Sequence, residues 1–165
     1  MINSCNKGKT FERTVCTLLT EATGFPFIRT ANSGAYATIH ADSDLDDQRG
    51  DITYDHKNVS LQSVIECKHI KKIDVVYDMY RPKSELRQWI HKLYTVDAKD
   101  TSWILIVRMN NREILYFTDN QFYPHISTQP HDMIFRIDNN TIYAGFFDNF
   151  LKGLRKLNAD SNSAG

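Results

Sequence analysis

The chain has 165 residues, of which 41% are hydrophobic and 24% charged, with twenty basic against twenty acidic side chains. That size and balance fit one domain with a buried core. They exclude a chain that owes its function to a large overall positive charge. No apolar run approaches the length of a membrane span, and the polar N-terminus has no signal-peptide core, so no membrane partner and a cytoplasmic location are expected. Three scattered cysteines, Cys5, Cys16 and Cys67, form no CxxC pair, which argues against a disulfide framework and against structural zinc.

Residues 7–23 predict the first helix. Phe11, Val15, Leu18, Leu19 and Ala22 form one apolar stripe, Glu12 lies at its border, and Gly24 ends it. Residues 25–30 predict a short strand carrying Arg29. Residues 31–50 are small, polar and then acidic, and a loop of that length in a compact domain is often functional. Two strands are expected next, Gly50-Asp51-Ile52-Thr53-Tyr54 and Ser63-Val64-Ile65-Glu66-Cys67-Lys68-His69. The turn signal Asp55-His56-Lys57-Asn58 would fold them back antiparallel. Pro82 is expected to open a second helix with Leu86, Trp89, Ile90 and Leu93 as its buried stripe. Trp103-Ile104-Leu105-Ile106-Val107 is almost continuously apolar, which predicts a central strand covered on both faces. Another strand follows over 113–117. After a polar connection, 134–137 and 141–143 are expected to pair across Asp138-Asn139-Asn140, before a last helix over 148–157. The tail 159–165 is small and polar and is expected to be disordered.

The chemistry concentrates in the strand pair. Side chains alternate across a strand, so Glu66 and Lys68 share one face and Cys67 takes the other. Antiparallel pairing would bring Asp51 next to Glu66. A hard cation such as Mg2+ takes oxygen ligands, commonly one or two carboxylates with water, carbonyl or phosphate completing the shell. Asp51 and Glu66 supply carboxylates, and the Cys67 backbone carbonyl a third oxygen. Such an ion lowers the pKa of a bound water and offsets charge on a phosphodiester under attack, with Lys68 beside it. The bland alternative is a charged, exposed strand face. Cys67-x-His69 has no partner ligands and reads as a sheet-facing thiol beside a polar histidine. Cations gather at Lys7, Lys9 and Arg13, and again at Lys68, Lys71, Lys72, Arg81, Lys83 and Arg87. Such clusters steer phosphates or simply form solvated faces.

Four pieces in order resemble the PD-(D/E)xK nuclease superfamily, and within it the archaeal-type Holliday junction resolvases and their phage relatives. Lys7-Gly8-Lys9-Thr10-Phe11-Glu12-Arg13 is similar to the family's opening helix. Thr30-Ala31-Asn32-Ser33-Gly34 is similar to its small-residue loop with a serine. Gly50-Asp51 matches the first acid, with Gly where many members carry Pro, and Ile65-Glu66-Cys67-Lys68 matches the acid-x-lysine strand. The resemblance covers roughly residues 7–118 and implies an α/β, restriction-endonuclease-like core, a central mixed β-sheet flanked by helices in αβββαβ order. A C-terminal extension, 119–158, lies outside it within a single nuclease domain.

The resemblance also implies roles. Asp51, Glu66 and Glu12 would complete an acidic site for Mg2+, with Mn2+ as a substitute. Lys68 would assist the water, and Ser33 would contact the scissile region. Gln88 resembles a superfamily glutamine and, with Lys7, Lys9, Arg13, Arg29, Lys71 and Lys72, belongs to the expected DNA contacts. A homodimer placing two sites on a four-way junction is implied. The acidic loop 34–50 departs from the pattern. Asp46 and Asp47 compete there for the ligand position of Asp51, and Tyr36 is placed to stack on an opened base. The functional expectation is a junction-resolving endonuclease. The alternatives are a restriction- or repair-type enzyme of the same superfamily acting on duplex DNA, or a non-catalytic DNA-binding module.

Overall fold

The computed structural model describes residues 4–30, 50–54, 63–98, 101–119 and 133–163. Ser33, Tyr36, Asp46, Asp47, the rest of the acidic loop and the turn at 55–58 lie outside the described residues. In chain order the elements are α1 (Ser4–Thr23), β1 (Phe27–Arg29), β2 (Ile52–Tyr54), β3 (Ser63–Ile70), α2 (Val75–Tyr80), α3 (Glu85–Lys92), β4 (Ser102–Met109), β5 (Ile114–Thr118), β6 (Met133–Ile137), β7 (Asn140–Phe146) and α4 (Phe147–Ser163). A π-helical turn, Leu93–Asp97, extends α3.

The seven strands form one mixed sheet in the order β1-β2-β3-β4-β5-β7-β6. β3 and β4 are parallel over eight residue pairs, from Ser63↔Ser102 to Ile70↔Met109, and every other strand pair is antiparallel. Parallel neighbours need a crossover, and α2 and α3 supply it. β4 explains the architecture. Ser102 to Val107 are all buried, and the strand alternates between two cores. Ile104 and Ile106 join Phe11, Val15 and Leu19 of α1 and Phe150, Leu151 and Leu154 of α4. Trp103, Leu105 and Val107 join Met79 of α2 and Leu86 and Ile90 of α3. A strand apolar on both faces must be roofed twice, and each fully buried large side chain contributes roughly 1.5–3 kcal/mol. The result is a restriction-endonuclease-like α/β fold, a mixed sheet flanked by helices.

Five local features differ from the sequence reading. The first strand is only Phe27–Arg29. The second helix begins at Glu85, not at Pro82, because the Ser84 side chain accepts the Arg87 N–H at 3.2 Å and so caps it. α2 was not expected: only Met79 in it is buried, so its run Val75–Tyr80 carries no wide apolar stripe. The last helix runs to Ser163, through residues expected to be disordered. The β6–β7 turn needs two residues, not three. Asp138 and Asn139 both adopt positive φ, 49° and 66°, which is the geometry of a tight hairpin, and Asn140 already belongs to β7.

Candidate active site

β2 and β3 position the acids. Their antiparallel register is Ile52↔Ile65. Continued, it would set residue 50 opposite Cys67, but the chain turns away first. Gly50 has φ +83° and bridges to Ile65 instead. A Cβ at this glycine would lie 2.5 Å from the Ile65 carbonyl oxygen and 3.1 Å from its nitrogen. Proline holds φ near −65°, so neither it nor a larger residue fits here. The glycine that distinguishes this motif from the commoner Pro-Asp therefore has a local cause.

With its partner strand gone, Cys67 N–H finds another acceptor, the Asp51 carboxylate, whose Oδ2 lies at 2.9 Å. The Asp51 backbone is clamped on both sides. Its N–H donates to the Ile65 carbonyl at 2.8 Å, and its carbonyl accepts the Thr30 N–H at 3.0 Å. Asp51 is 9% exposed, and buried carboxylates need such partners. Among the described residues its second carboxylate oxygen receives no hydrogen bond. The N–H and C=O of one strand residue point to the same side, so the Cys67 carbonyl also faces this gap. Nearby, the Tyr54 hydroxyl locks β2 to β3, accepting the Ser63 N–H at 2.7 Å and donating to the Ser63 carbonyl at 2.9 Å.

Glu66 and Lys68 follow the face of Val64, the α2–α3 side, whereas Ile65 and Cys67 point into the α1–α4 core. The Lys68 ammonium is paired with Glu66 Oε1. Burial raises the Glu66 carboxyl above the usual range, the Asp51 charge raises it further, and Lys68 and Lys92 pull the other way. Burial works to lower Lys68, yet Glu66 and then Asp51 hold its charge and raise it overall. The two directions agree. Lys68 faces two carboxylates, while Glu66 must share one lysine with another acid and with partial burial. The Cys67 thiol is raised far above its normal value, by burial first and by Asp51, Glu66 and Glu12 after it, so it is an inert core thiol.

The other predicted residues are placed as follows. Glu12 is ion-paired with Arg29 of β1, and its charge is felt by Cys16 and Cys67 on the α1 side of the sheet. Among the described residues no group of three Asp, Glu, His or Cys side chains is arranged to hold a metal. A cation here would rest on the Asp51 and Glu66 carboxylates and the Cys67 carbonyl, a donor set of hard oxygens that suits Mg2+. Two acids that repel across the gap also fit a site built to receive positive charge. Lys7, Lys9, Arg13, Lys71, Lys72 and Gln88 are exposed, and the Gln88 side-chain amide donates to the Lys83 carbonyl at 3.2 Å. Sequence reasoning missed Lys92. It sits in the last turn of α3, a place where a basic residue is ordinary, and only the packing of α3 brings its charge to Glu66.

An acid at the mouth of one strand and acid-x-lysine on its antiparallel neighbour, within this mixed sheet, define the PD-(D/E)xK nuclease class. The family described as "Phage putative PDDEXK endonuclease" matches residues 3–159, and the chain belongs to it. No curated protein and no solved structure matches the chain. No described helix is long and apolar enough to cross a membrane.

Proposed function

We propose that this endonuclease is Mg2+-dependent and cuts DNA by phosphodiester hydrolysis at Asp51, Glu66 and Lys68. The observation that carries the reading is the Asp51 carboxylate, held by Cys67 N–H while facing a second, partly buried acid whose ionisation it opposes. A bound divalent ion supplies an acidified water and offsets phosphate charge. The chain's own part is to orient. Asp51 is fixed through backbone and carboxylate, so its ligand oxygen is aimed before substrate arrives. Glu66 holds the Lys68 ammonium on the shared face, where it donates to a phosphate oxygen or to the attacking water. Lys92 adds a positive charge that favours ionised Glu66.

The substrate reading is a branched DNA, the four-way junction, nicked symmetrically by a homodimer. It is supported by the resemblance of the opening helix and the two acidic pieces to junction resolvases. The test is cleavage of a synthetic four-way junction and of its component duplex arms, each with Mg2+, Mn2+ or EDTA, with both nicks mapped. Paired nicks on the junction that require metal are the expected result. Equal rates on junction and arms would remove the resolvase reading while leaving a duplex-directed endonuclease. Cutting in EDTA would remove the metal.

A further inference from the structure

α2 is a helix turned partly inside out. Val76, Tyr77 and Tyr80 are 56%, 61% and 60% exposed, and only Met79 is buried. Large apolar groups on so short a helix lower stability unless something covers them. Tyr77 and Tyr80, three residues apart, lie on one helical face. Both rings are braced. The Arg81 guanidinium lies 5.6 Å from the Tyr77 centroid, and Tyr80 meets Phe135 edge-on at 6.0 Å. Rings already held in place lose little rotamer freedom when a ligand docks.

Charge decides what the ligand is. The chain carries no net charge, yet Lys71, Lys72, Arg81 and Lys83 flank these rings. The two acids between them, Asp74 exposed and Asp78 half-buried, each spend one carboxylate oxygen on a backbone N–H at the start of the helix, so the cations outnumber them four to two. Asp74 Oδ1 accepts the Tyr77 N–H, and Asp78 Oδ2 accepts the Asp74 N–H, both at 3.0 Å. Lys71 and Lys72 also line a groove of about 550 Å³ with Ile73, Asp74, Met109, Asn110 and Arg112, three cations to one acid. Ile70, the last residue of β3, stands two residues beyond Lys68, or ~7 Å along a strand. Two nucleotides of one DNA strand cover about the same axial distance. Exposed aromatic rings on one helical face, with cations before and after them in the chain, form the pattern that holds unpaired nucleotides by stacking.

We propose that α2 is a stacking platform for unpaired nucleotides of the DNA substrate, with Tyr77 and Tyr80 under the bases and Lys71, Lys72, Arg81 and Lys83 on the phosphates. The proposal rests on the nuclease reading above and deepens it. It is tested by binding without cleavage. Anisotropy titrations in EDTA compare a labelled single-stranded oligothymidine with a duplex of the same length, using full-length protein. Y77A/Y80A is expected to weaken single-strand binding roughly 10–100-fold while changing neither duplex binding nor the salt slope. Y77F/Y80F is expected to bind as the wild type does. A 2-aminopurine in the single strand should change fluorescence on binding to wild type and to Y77F/Y80F, but not to Y77A/Y80A.

Unchanged single-strand binding by the alanine variant overturns the platform, as does an equal loss on both DNAs or wild type that binds no single strand. A fall in oligomeric state by sedimentation, with DNA binding intact, would give the surface to a second copy of the chain. Cleavage is scored separately. Tyrosine-dependent binding without metal-dependent cutting would sink the nuclease reading alone, and cutting with tyrosine-independent binding would sink the platform alone.

Discussion

Asp51 and Glu66 are not equivalent acids. Asp51 owns a backbone N–H, whereas Glu66 is left with a lysine and a repelling neighbour. Asp51→Asn and Glu66→Gln should each reduce Mg2+-dependent cleavage by at least ~10²-fold, the scale expected when fixed charge is removed from a site. DNA binding in EDTA should be nearly unchanged, because phosphate contacts position the DNA independently. Normal cutting by Asp51→Asn would refute the metal assignment.

The raised Glu66 carboxyl gives a pH prediction. Ionised Glu66 appears only above the usual glutamate value of about 4.3, and a metal must compete with that proton. The acid limb of the cleavage profile should therefore lie above the usual range and move down as Mg2+ is raised. A limb that ignores Mg2+ would separate Glu66 from the ion. The stability sign is opposite to that of an ordinary ion-paired acid. A carboxyl raised in the folded state loses stability as pH rises from the unfolded value through the folded one, so this acid favours the metal-free fold only at low pH. Gly50→Ala asks a residue with a side chain to hold φ +83° with its Cβ 2.5 Å from a carbonyl oxygen. Strain of this kind costs about 1–3 kcal/mol before the clash is counted. A fall in the unfolding midpoint together with lost activity is expected, and unchanged melting would mean that the turn relaxes freely.

Among the elements, the junction of α2 and α3 is the most testable. Ser84 Oγ accepts the Arg87 N–H and donates to the Asp78 carbonyl, so one hydroxyl caps α3 and ties it to α2. Ser84→Ala should cost about 1 kcal/mol, a drop of roughly 2–4 °C in midpoint for a domain near this size. No drop in calorimetry would mean that the cap contributes nothing. The strands and helices that sequence reading located well are those with strong periodicity: the α1 stripe through Phe11, Val15 and Leu19, and the apolar run of β4. It missed α2, whose exposed tyrosines break the usual rule that a helix hides its apolar face. It also overextended β1, where a three-residue strand is held by pairing with β2 rather than by pattern. β5 and the β6–β7 hairpin were found because their turns use Asn and Asp at positive φ, a signal carried by residue type.

At the scale of the molecule, the charges sum to zero but are not evenly spread. Lys71 and Lys72 stand exposed just beyond the end of β3. If they hold phosphates, replacing each with Ala should reduce the slope of log affinity against log salt by about 1. An unchanged slope in titrations from low to moderate salt would make them a solvated rim. The two-sided core around β4 gives this site a rigid floor.

Sequence alone was enough to determine the fold class and to put Glu66 and Lys68 on one face of a strand. Hydrophobic periodicity sets which strands are buried twice, and acid-x-lysine on a strand sets which side chains share a face. These are local properties, written in residue order. Only the tertiary structure decided that Glu12 is engaged by Arg29, that Asp51 replaces a missing strand partner for Cys67 N–H, that the Lys92 charge acts on Glu66, and that Gly50 permits no side chain. Each of these depends on groups distant in sequence meeting at an ångström-scale distance. Packing sets such distances, and periodicity carries no information about them.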